Sequence, residues 1–137
     1  FILNNLLKKN NFQLVVIPSM RTPKNTIEHA KKYFGKNHTI IDNVDKKAYL
    51  SALSISNRVV VTCDSSSMIS EAALTGKPIY VANILPRKND KRFQKFRNLF
   101  SELNIIRNLG EDEENWNYQK LDETNRVAKI LKQKINL

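Results

Sequence analysis

The sequence predicts an α/β fold of the Rossmann-like, three-layer α/β/α class, with a parallel sheet of about five strands. Short runs of apolar, β-branched residues alternate with longer segments of helical apolar spacing. The short runs are continuously apolar rather than alternating, which is typical of strands covered on both faces. At 137 residues the chain is long enough for one domain. We expect a single α/β domain over residues 1–137, the C-terminal fragment of a longer two-domain protein, because the chain starts at Phe1 rather than at Met.

The first part of the chain reads as helix, strand and helix. Apolar residues at helical spacing predict a helix over residues 1–9. Residues 13–17 form an apolar run that predicts a buried strand. After a loop, Pro23 suits the start of a helix over residues 24–34, and Gly35 is its expected end.

The middle of the chain repeats this alternation. Residues 39–41 predict a second strand, and Asp45 is the expected N-cap of a helix over residues 46–56. The next elements, in order, are a strand over residues 59–62, a helix over about 67–74 that ends at Gly76, and a strand over 79–82.

The last part of the chain contains two long amphipathic segments. Residues 91–103 predict a helix whose inward face carries Phe93, Phe96, Leu99, Phe100 and Leu103. A short strand over residues 105–106 follows. The final predicted helix covers residues 122–135, with an apolar stripe formed by Val127, Ala128, Ile130, Leu131 and Ile135.

Composition narrows the classes of function. The formal net charge is +10, but the basic residues are scattered and no aromatic-interleaved basic motif occurs, so nucleic acid is not the expected partner. Phosphorylated small molecules or acidic head groups fit better. The one cysteine, Cys63, suits a reducing compartment and a buried, inert thiol. His29 and His38 show no metal-ligand spacing with it, so we expect no metal and no cofactor.

Residues 62–71, TCDSSSMISE, place serines and acids around a strand-to-helix junction. Free N–H groups at a helix start attract anions, and serine hydroxyls add donors, so a phosphate or diphosphate is the natural ligand. Glu71, one turn further on, can accept hydrogen bonds from two neighbouring hydroxyls such as those of a ribose. The pattern supports equally the alternative that Asp64 or a serine is a plain helix cap.

Two other predicted strand ends offer cations. Arg21, followed by Thr22, suits bidentate contact with phosphate, although a solvated loop arginine is the commoner case. Arg87, Lys88 and Arg92 could close over an anion, or form a solvated face.

The sequence resembles the mitochondrial fission ELM family and its bacterial homologues along nearly its whole length. The motifs that carry the resemblance are S-M-R-T-P at residues 19–23, V-T-C-D-S-S-S-M-I-S-E-A at 61–72 and T-G-K-P-I-Y-V at 75–81. Met20 stands where an arginine or another polar residue is expected, which argues against a doubled phosphate clamp in that loop.

The resemblance implies the C-terminal half of a fold like that of GT-B glycosyltransferases, which holds a nucleotide-sugar donor. On this mapping the diphosphate meets Arg21, Thr22, Asp64, Ser65, Ser67 and Ser70, and Glu71 meets the ribose. Catalytic bases of such enzymes come from the N-terminal half, so no catalytic residue is assigned here and this fragment alone should be inactive. The family's role implies an alternative, a cytoplasmic scaffold or adaptor that is peripheral at an anionic membrane surface or binds a protein partner.

Overall fold

In the computed structural model of this chain, the described residues are 2–84, 90–111 and 114–135. They form the helices α1 (Ile2–Asn10), α2 (Lys24–Phe34), α3 (Lys46–Ile55), α4 (Ser66–Ala73), α5 (Lys91–Glu102) and α6 (Glu123–Lys134). They form the strands β1 (Val15–Val16), β2 (Thr39–Ile40), β3 (Val59–Thr62), β4 (Ile79–Ala82) and β5 (Ile106–Asn108). Helices and strands alternate along the chain and every strand pair is parallel, which confirms the predicted Rossmann-like α/β class.

The chain groups by its internal contacts into two compact units. The first unit comprises Phe1–Asn57 and Leu109–Glu113, and the second comprises Arg58–Asn108 and Glu114–Leu137. The expectation that residues 1–137 form one domain of a longer two-domain protein stays a prediction.

The first unit contains a small parallel ladder. Val15 of β1 pairs with Thr39 of β2, and Val16 pairs with Ile40. Helix α2 packs against β2 and buries Ile27. The predicted N-cap of α3 is confirmed, because the Asp45 carboxylate accepts a hydrogen bond of 3.0 Å from the Ala48 N–H. This bond satisfies one N–H of the first helical turn.

The second unit contains a three-stranded parallel sheet with β4 in the centre. Val59 to Thr62 of β3 pair in register with Ile79 to Ala82 of β4, and Ile79 to Val81 pair with Ile106 to Asn108 of β5. Helix α4 packs against β3 and β4, and α5 packs against β5. The centre of the core is formed by fully buried residues of α4 and β4 and by the residue that precedes β5: Ile69, Ala72, Ala73, Ile79, Tyr80, Val81 and Ile105.

The predicted single sheet of about five strands is wrong, because the five strands divide into sheets of two and three. The strands of the smaller sheet are only two residues long, and Val15 is 40 % exposed rather than buried. An apolar run predicts a strand, but it does not specify the strand with which it pairs.

The predicted inward face of α5 is only partly confirmed. Phe100 is buried and Phe96 is half-buried, whereas Phe93, Leu99 and Leu103 are exposed. Helix α5 also carries polar residues at helical spacing, and these polar residues line a surface cavity. An apolar stripe and a polar stripe with the same helical period share this helix. The apolar residues alone therefore predict a wider buried face than the helix has.

The irregular residues 114–122, which precede α6, pack within the second unit. Trp116 is 6 % exposed and lies edge-on against Tyr80, with 5.1 Å between ring centroids. The Tyr118 hydroxyl donates to the Lys77 carbonyl oxygen at 3.0 Å, and burial raises the pKa of Tyr118. Cys63 is buried, as expected for a structural thiol.

Replacing Gly76 with alanine should destabilise the fold by about 1–2 kcal/mol, the cost of holding a side chain in the left-handed region. Gly76 has φ of +72°, and an added Cβ would lie 2.6 Å from Cε of Lys120, a flexible side chain that can move away. The backbone conformation therefore sets the cost. Urea unfolding measures it, and Gly76→Asn should lose less because asparagine visits this region more readily. Equal losses for the two variants would contradict this explanation.

Candidate anion-binding site

The junction between β3 and α4 is a tight turn at the carboxyl edge of the three-stranded sheet. The Ser65 N–H donates to the Thr62 carbonyl oxygen at 3.2 Å, and the Thr62 hydroxyl donates to Oδ1 of Asp64 at 2.7 Å. These bonds close the turn within three residues of the end of β3. Helix α4 therefore begins at the sheet edge where parallel α/β folds bind their ligands.

Ser65 occupies the N-cap position of α4 but does not act as a side-chain cap. It is 4 % exposed, and its hydroxyl makes no capping hydrogen bond. The first N–H groups of any helix lack partners within the helix. Within the alternative of a plain helix cap, a cap supplied by the Ser65 side chain is therefore wrong, while a cap supplied by Asp64 stays open.

The remaining polar residues of α4 lie on two neighbouring faces. Ser67 and Glu71 are four residues apart and both exposed, so they share the outer face of the helix. Ser66 and Ser70 are also four residues apart, and both are half-buried. The exposed pair is the better placed to meet a ligand from solvent.

Arg21 and Thr22 lie in the first unit, in the turn that precedes α2. The Thr22 side-chain oxygen accepts from the Ser19 N–H at 2.9 Å, and the Thr22 N–H donates to the Ser19 carbonyl at 3.0 Å. Thr22 thus holds its own turn, and the Arg21 side chain is exposed beyond it. Their joint action with the serines of α4 stays a prediction.

The third group of predicted cations follows β4. Arg87 and Lys88 lie outside the described residues. Arg92 lies in the first turn of α5 and is exposed. Its predicted role in closing over an anion also stays a prediction.

Arg97 is a residue of this site that the sequence analysis missed. Its Nη1 donates to the Cys63 carbonyl at 2.8 Å, and its Nη2 pairs with Oδ2 of Asp90 at 2.5 Å. The side chain is 16 % exposed. One guanidinium thus ties the β3–α4 turn to the start of α5. A signal was available, because Gln94, Arg97, Asn98 and Ser101 form a polar stripe at helical spacing.

Comparison with known proteins assigns the family. The family model described as Mitochondrial fission ELM1 matches residues 2–135, nearly the whole chain. The chain belongs to the Mitochondrial fission ELM1 family. This confirms the resemblance carried by the motifs around the β3–α4 turn.

Two curated relatives are similar to this family member. The Mitochondrial fission protein ELM1 of Arabidopsis thaliana is 29 % identical over an alignment of 122 positions, which covers 85 % of this chain and 28 % of the plant protein. An uncharacterized protein of Rickettsia prowazekii (strain Madrid E) is 29 % identical over an alignment of 142 positions including gaps, which covers 96 % of this chain and 39 % of the Rickettsia protein. The chain therefore spans well under half of each relative. No solved structure matches it.

The described part of this Mitochondrial fission ELM1 family chain brings no three histidine, cysteine, aspartate or glutamate residues together as a metal site. None of the helices in the described ranges is long and apolar enough to cross a bilayer. The β3–α4 junction offers N–H groups, hydroxyls and the carboxylates of Asp64 and Glu71, and its donors and the exposed Glu71 are groups suited to binding an anion and a diol.

Replacing Arg97 with methionine should lower the free energy of unfolding by about 1.5–3 kcal/mol, the range for hydrogen bonds to charged groups. Methionine keeps the apolar stem but removes both the bond to the Cys63 carbonyl and the pair with Asp90. Urea denaturation measures the change. Lys95→Met is the matched control, because Lys95 is an exposed cation of the same helix. Similar midpoints for the two variants would show that Arg97 does not hold the turn.

Proposed function

We propose that this chain supplies the donor-binding element of a GT-B-like protein, which binds the diphosphate of a nucleotide sugar at the start of α4. One observation carries the proposal. Helix α4 begins within the turn that ends β3, at the carboxyl edge of a parallel sheet, and its N-cap serine makes no capping bond. The N–H groups of the first turn and the positive end of the helix dipole favour a phosphate there.

The arrangement on α4 suits a diphosphate followed by a ribose. Ser67 offers an exposed hydroxyl in the first turn, next to the N–H groups. Glu71 lies one turn further along the same face. A carboxylate accepts hydrogen bonds only, so it would orient the two hydroxyls of a ribose without competing for the phosphates.

The proposal extends to the rest of the predicted set. Asp64, Ser65 and Ser70 would shape the turn and its inner face, while the roles of Arg21, Thr22 and Arg92 as anion ligands stay predictions. The N-terminal domain of the same protein would supply the acceptor side and any catalytic base. If the protein is an enzyme, it is a GT-B glycosyltransferase, and this chain alone would bind a donor without turning it over.

Titration calorimetry with UDP-glucose, GDP-mannose, UDP and inorganic pyrophosphate tests the proposal. We expect binding of a nucleotide sugar in roughly the millimolar range, equivalent to about −4 kcal/mol, because only half of a cleft is present. Affinity should fall as salt is raised, since the diphosphate is charged. The full-length protein should bind more tightly, and its failure to bind any nucleotide sugar would overturn the proposal.

A second candidate function, an adaptor at an anionic membrane surface, is favoured by α6. Val127, Ile130 and Leu131 on this helix are 43 %, 39 % and 53 % exposed. The cations Arg126, Lys129 and Lys132 lie on the opposite side of the same helix. A basic helix with an exposed apolar face is suited to lie in a bilayer interface.

Co-sedimentation with vesicles tests this candidate. The chain should bind vesicles that contain phosphatidylserine better than pure phosphatidylcholine vesicles, and high salt should release it. Leu131→Glu should abolish binding. The matched control is Leu74→Glu, because Leu74, at the C-cap of α4, is a leucine of similar exposure, at 56 %. Equal binding to vesicles with and without phosphatidylserine would contradict this membrane role.

A further inference from the structure

The second unit contains a polar cavity that is built from different residues than the serine-rich start of α4. Its volume is about 210 Å³. One wall is the polar stripe of α5, and the other is formed by β5 and the residue that follows β4. The polar residues that matter here are Asn83, Gln94, Arg97, Asn98, Arg107 and Asn108. None of them belongs to the predicted diphosphate or ribose set.

Several of these side chains are held in place by neighbours. Asn83 Nδ2 donates to Oδ1 of Asn108 at 3.0 Å, which joins the ends of β4 and β5. The Arg107 guanidinium lies 4.4 Å from the centre of the Trp116 ring, so a cation–π contact fixes its position. Arg97 is held by the Cys63 carbonyl and Asp90. Groups that are fixed before a ligand arrives lose less entropy when they bind it.

The chemistry of the lining selects a class of ligand. Among the residues that line the cavity, Ile106 supplies the apolar contact, so an apolar ligand would gain little. Side-chain amides donate and accept at once, which matches the hydroxyl groups of a sugar. Guanidinium groups prefer phosphate or carboxylate oxygens. The volume suits one sugar ring rather than a whole nucleotide sugar.

We propose that this cavity binds an anionic monosaccharide, either a sugar phosphate or a sugar acid. The amides of Asn83, Gln94 and Asn98 contact the hydroxyls, and Arg107 contacts the anionic group. The inference does not depend on a diphosphate binding at α4, because none of the side chains proposed to contact the sugar or its anionic group is in the proposed diphosphate and ribose set.

The chain carries its own reporter for this site, because Trp116 is its single tryptophan. A ligand that binds Arg107 must change the surroundings of the indole ring against which that guanidinium lies. We expect glucose 6-phosphate and glucuronic acid to shift the Trp116 indole resonance and its fluorescence in a saturable way. Glucose has the hydroxyls but no anionic group, and inorganic phosphate has the anionic group but no sugar ring. Each should therefore bind at least about tenfold more weakly.

Asn98→Asp is the decisive variant. It keeps the size of an exposed side chain but replaces donor N–H groups by a negative charge, which repels an anion. We expect it to weaken glucose 6-phosphate binding at least about tenfold. Asn117→Asp, the same change at an exposed position away from the cavity lining, should leave binding unchanged.

Three outcomes would overturn the proposal: an unmoved Trp116 signal, equal affinity for inorganic phosphate, or wild-type affinity of Asn98→Asp. Ser67→Glu separates this site from the one at α4. It should leave glucose 6-phosphate binding intact, so loss of nucleotide-sugar binding and loss of sugar-phosphate binding are distinguishable results.

Discussion

Replacing Trp116 with alanine is expected to lower the free energy of unfolding by about 3–5 kcal/mol, the largest effect of any single substitution considered for this chain. The indole is 6 % exposed and packs edge-on against Tyr80, itself fully buried at the centre of the sheet. Its removal leaves a cavity beside the Tyr80 ring of β4. Urea unfolding followed by circular dichroism measures the loss.

Trp116→Phe is the matched control for that experiment. The indole N–H is buried and has no hydrogen-bond partner among the described residues, so it carries a desolvation cost without a compensating bond. Phenylalanine keeps an aromatic edge against Tyr80 and removes the unpaired donor. We expect a loss of only about 1–2 kcal/mol. If phenylalanine is as damaging as alanine, the indole N–H contributes a bond and the packing explanation is incomplete.

Exchanging Ser67 for glutamate should change stability and ligand binding in opposite directions. A carboxylate in the first turn of α4 interacts favourably with the helix dipole, which stabilises the fold by about 0.3–1 kcal/mol. The same charge lies where the diphosphate is proposed to bind, and like-charge repulsion should weaken nucleotide-sugar affinity at least about tenfold. Thermal unfolding and titration calorimetry on one preparation give both quantities.

Ser51→Glu controls for net charge, because Ser51 is an exposed serine on α3 and the substitution adds the same charge elsewhere. It should affect nucleotide-sugar binding little. A Ser67→Glu variant that is stabilised but binds normally would place the ligand away from α4. If Ser67→Glu instead lowers the stability of the fold, repulsion from a negative charge already near the first turn must outweigh the favourable interaction with the helix dipole.

Local patterns predicted much of the fold because the relevant physics is local. The bounds of α2, β3 and β4 agree with the sequence analysis residue by residue. Asp45 caps α3 as expected, and Gly76 takes the left-handed conformation that ends the segment after α4. Capping, glycine conformation and apolar period each depend on a few neighbouring residues, so one sequence suffices to read them.

Contacts between distant residues could not be read in this way. The bond between Arg97 and Cys63 joins positions 34 residues apart, and no local pattern pairs them. The polar residues of α5 recur at helical spacing in the sequence, but so do its apolar residues. The spacing alone therefore does not show which contacts each stripe makes. The partition of five strands into two sheets depends on which edges meet, and apolar runs do not encode that.

The central position of β4 has a consequence for motion. Its backbone is hydrogen-bonded on both sides, and Ile79, Tyr80 and Val81 are at most 1 % exposed. Their amide hydrogens can reach water only when the sheet of the second unit comes apart as a whole. The two-residue ladder of β1 and β2 has no such protection at Val15, so its amides exchange through small local openings. The carboxyl edge proposed to hold a ligand thus belongs to the sheet with the better protected central strand, and we expect the amides of β4 to exchange more slowly than those of β1 and β2.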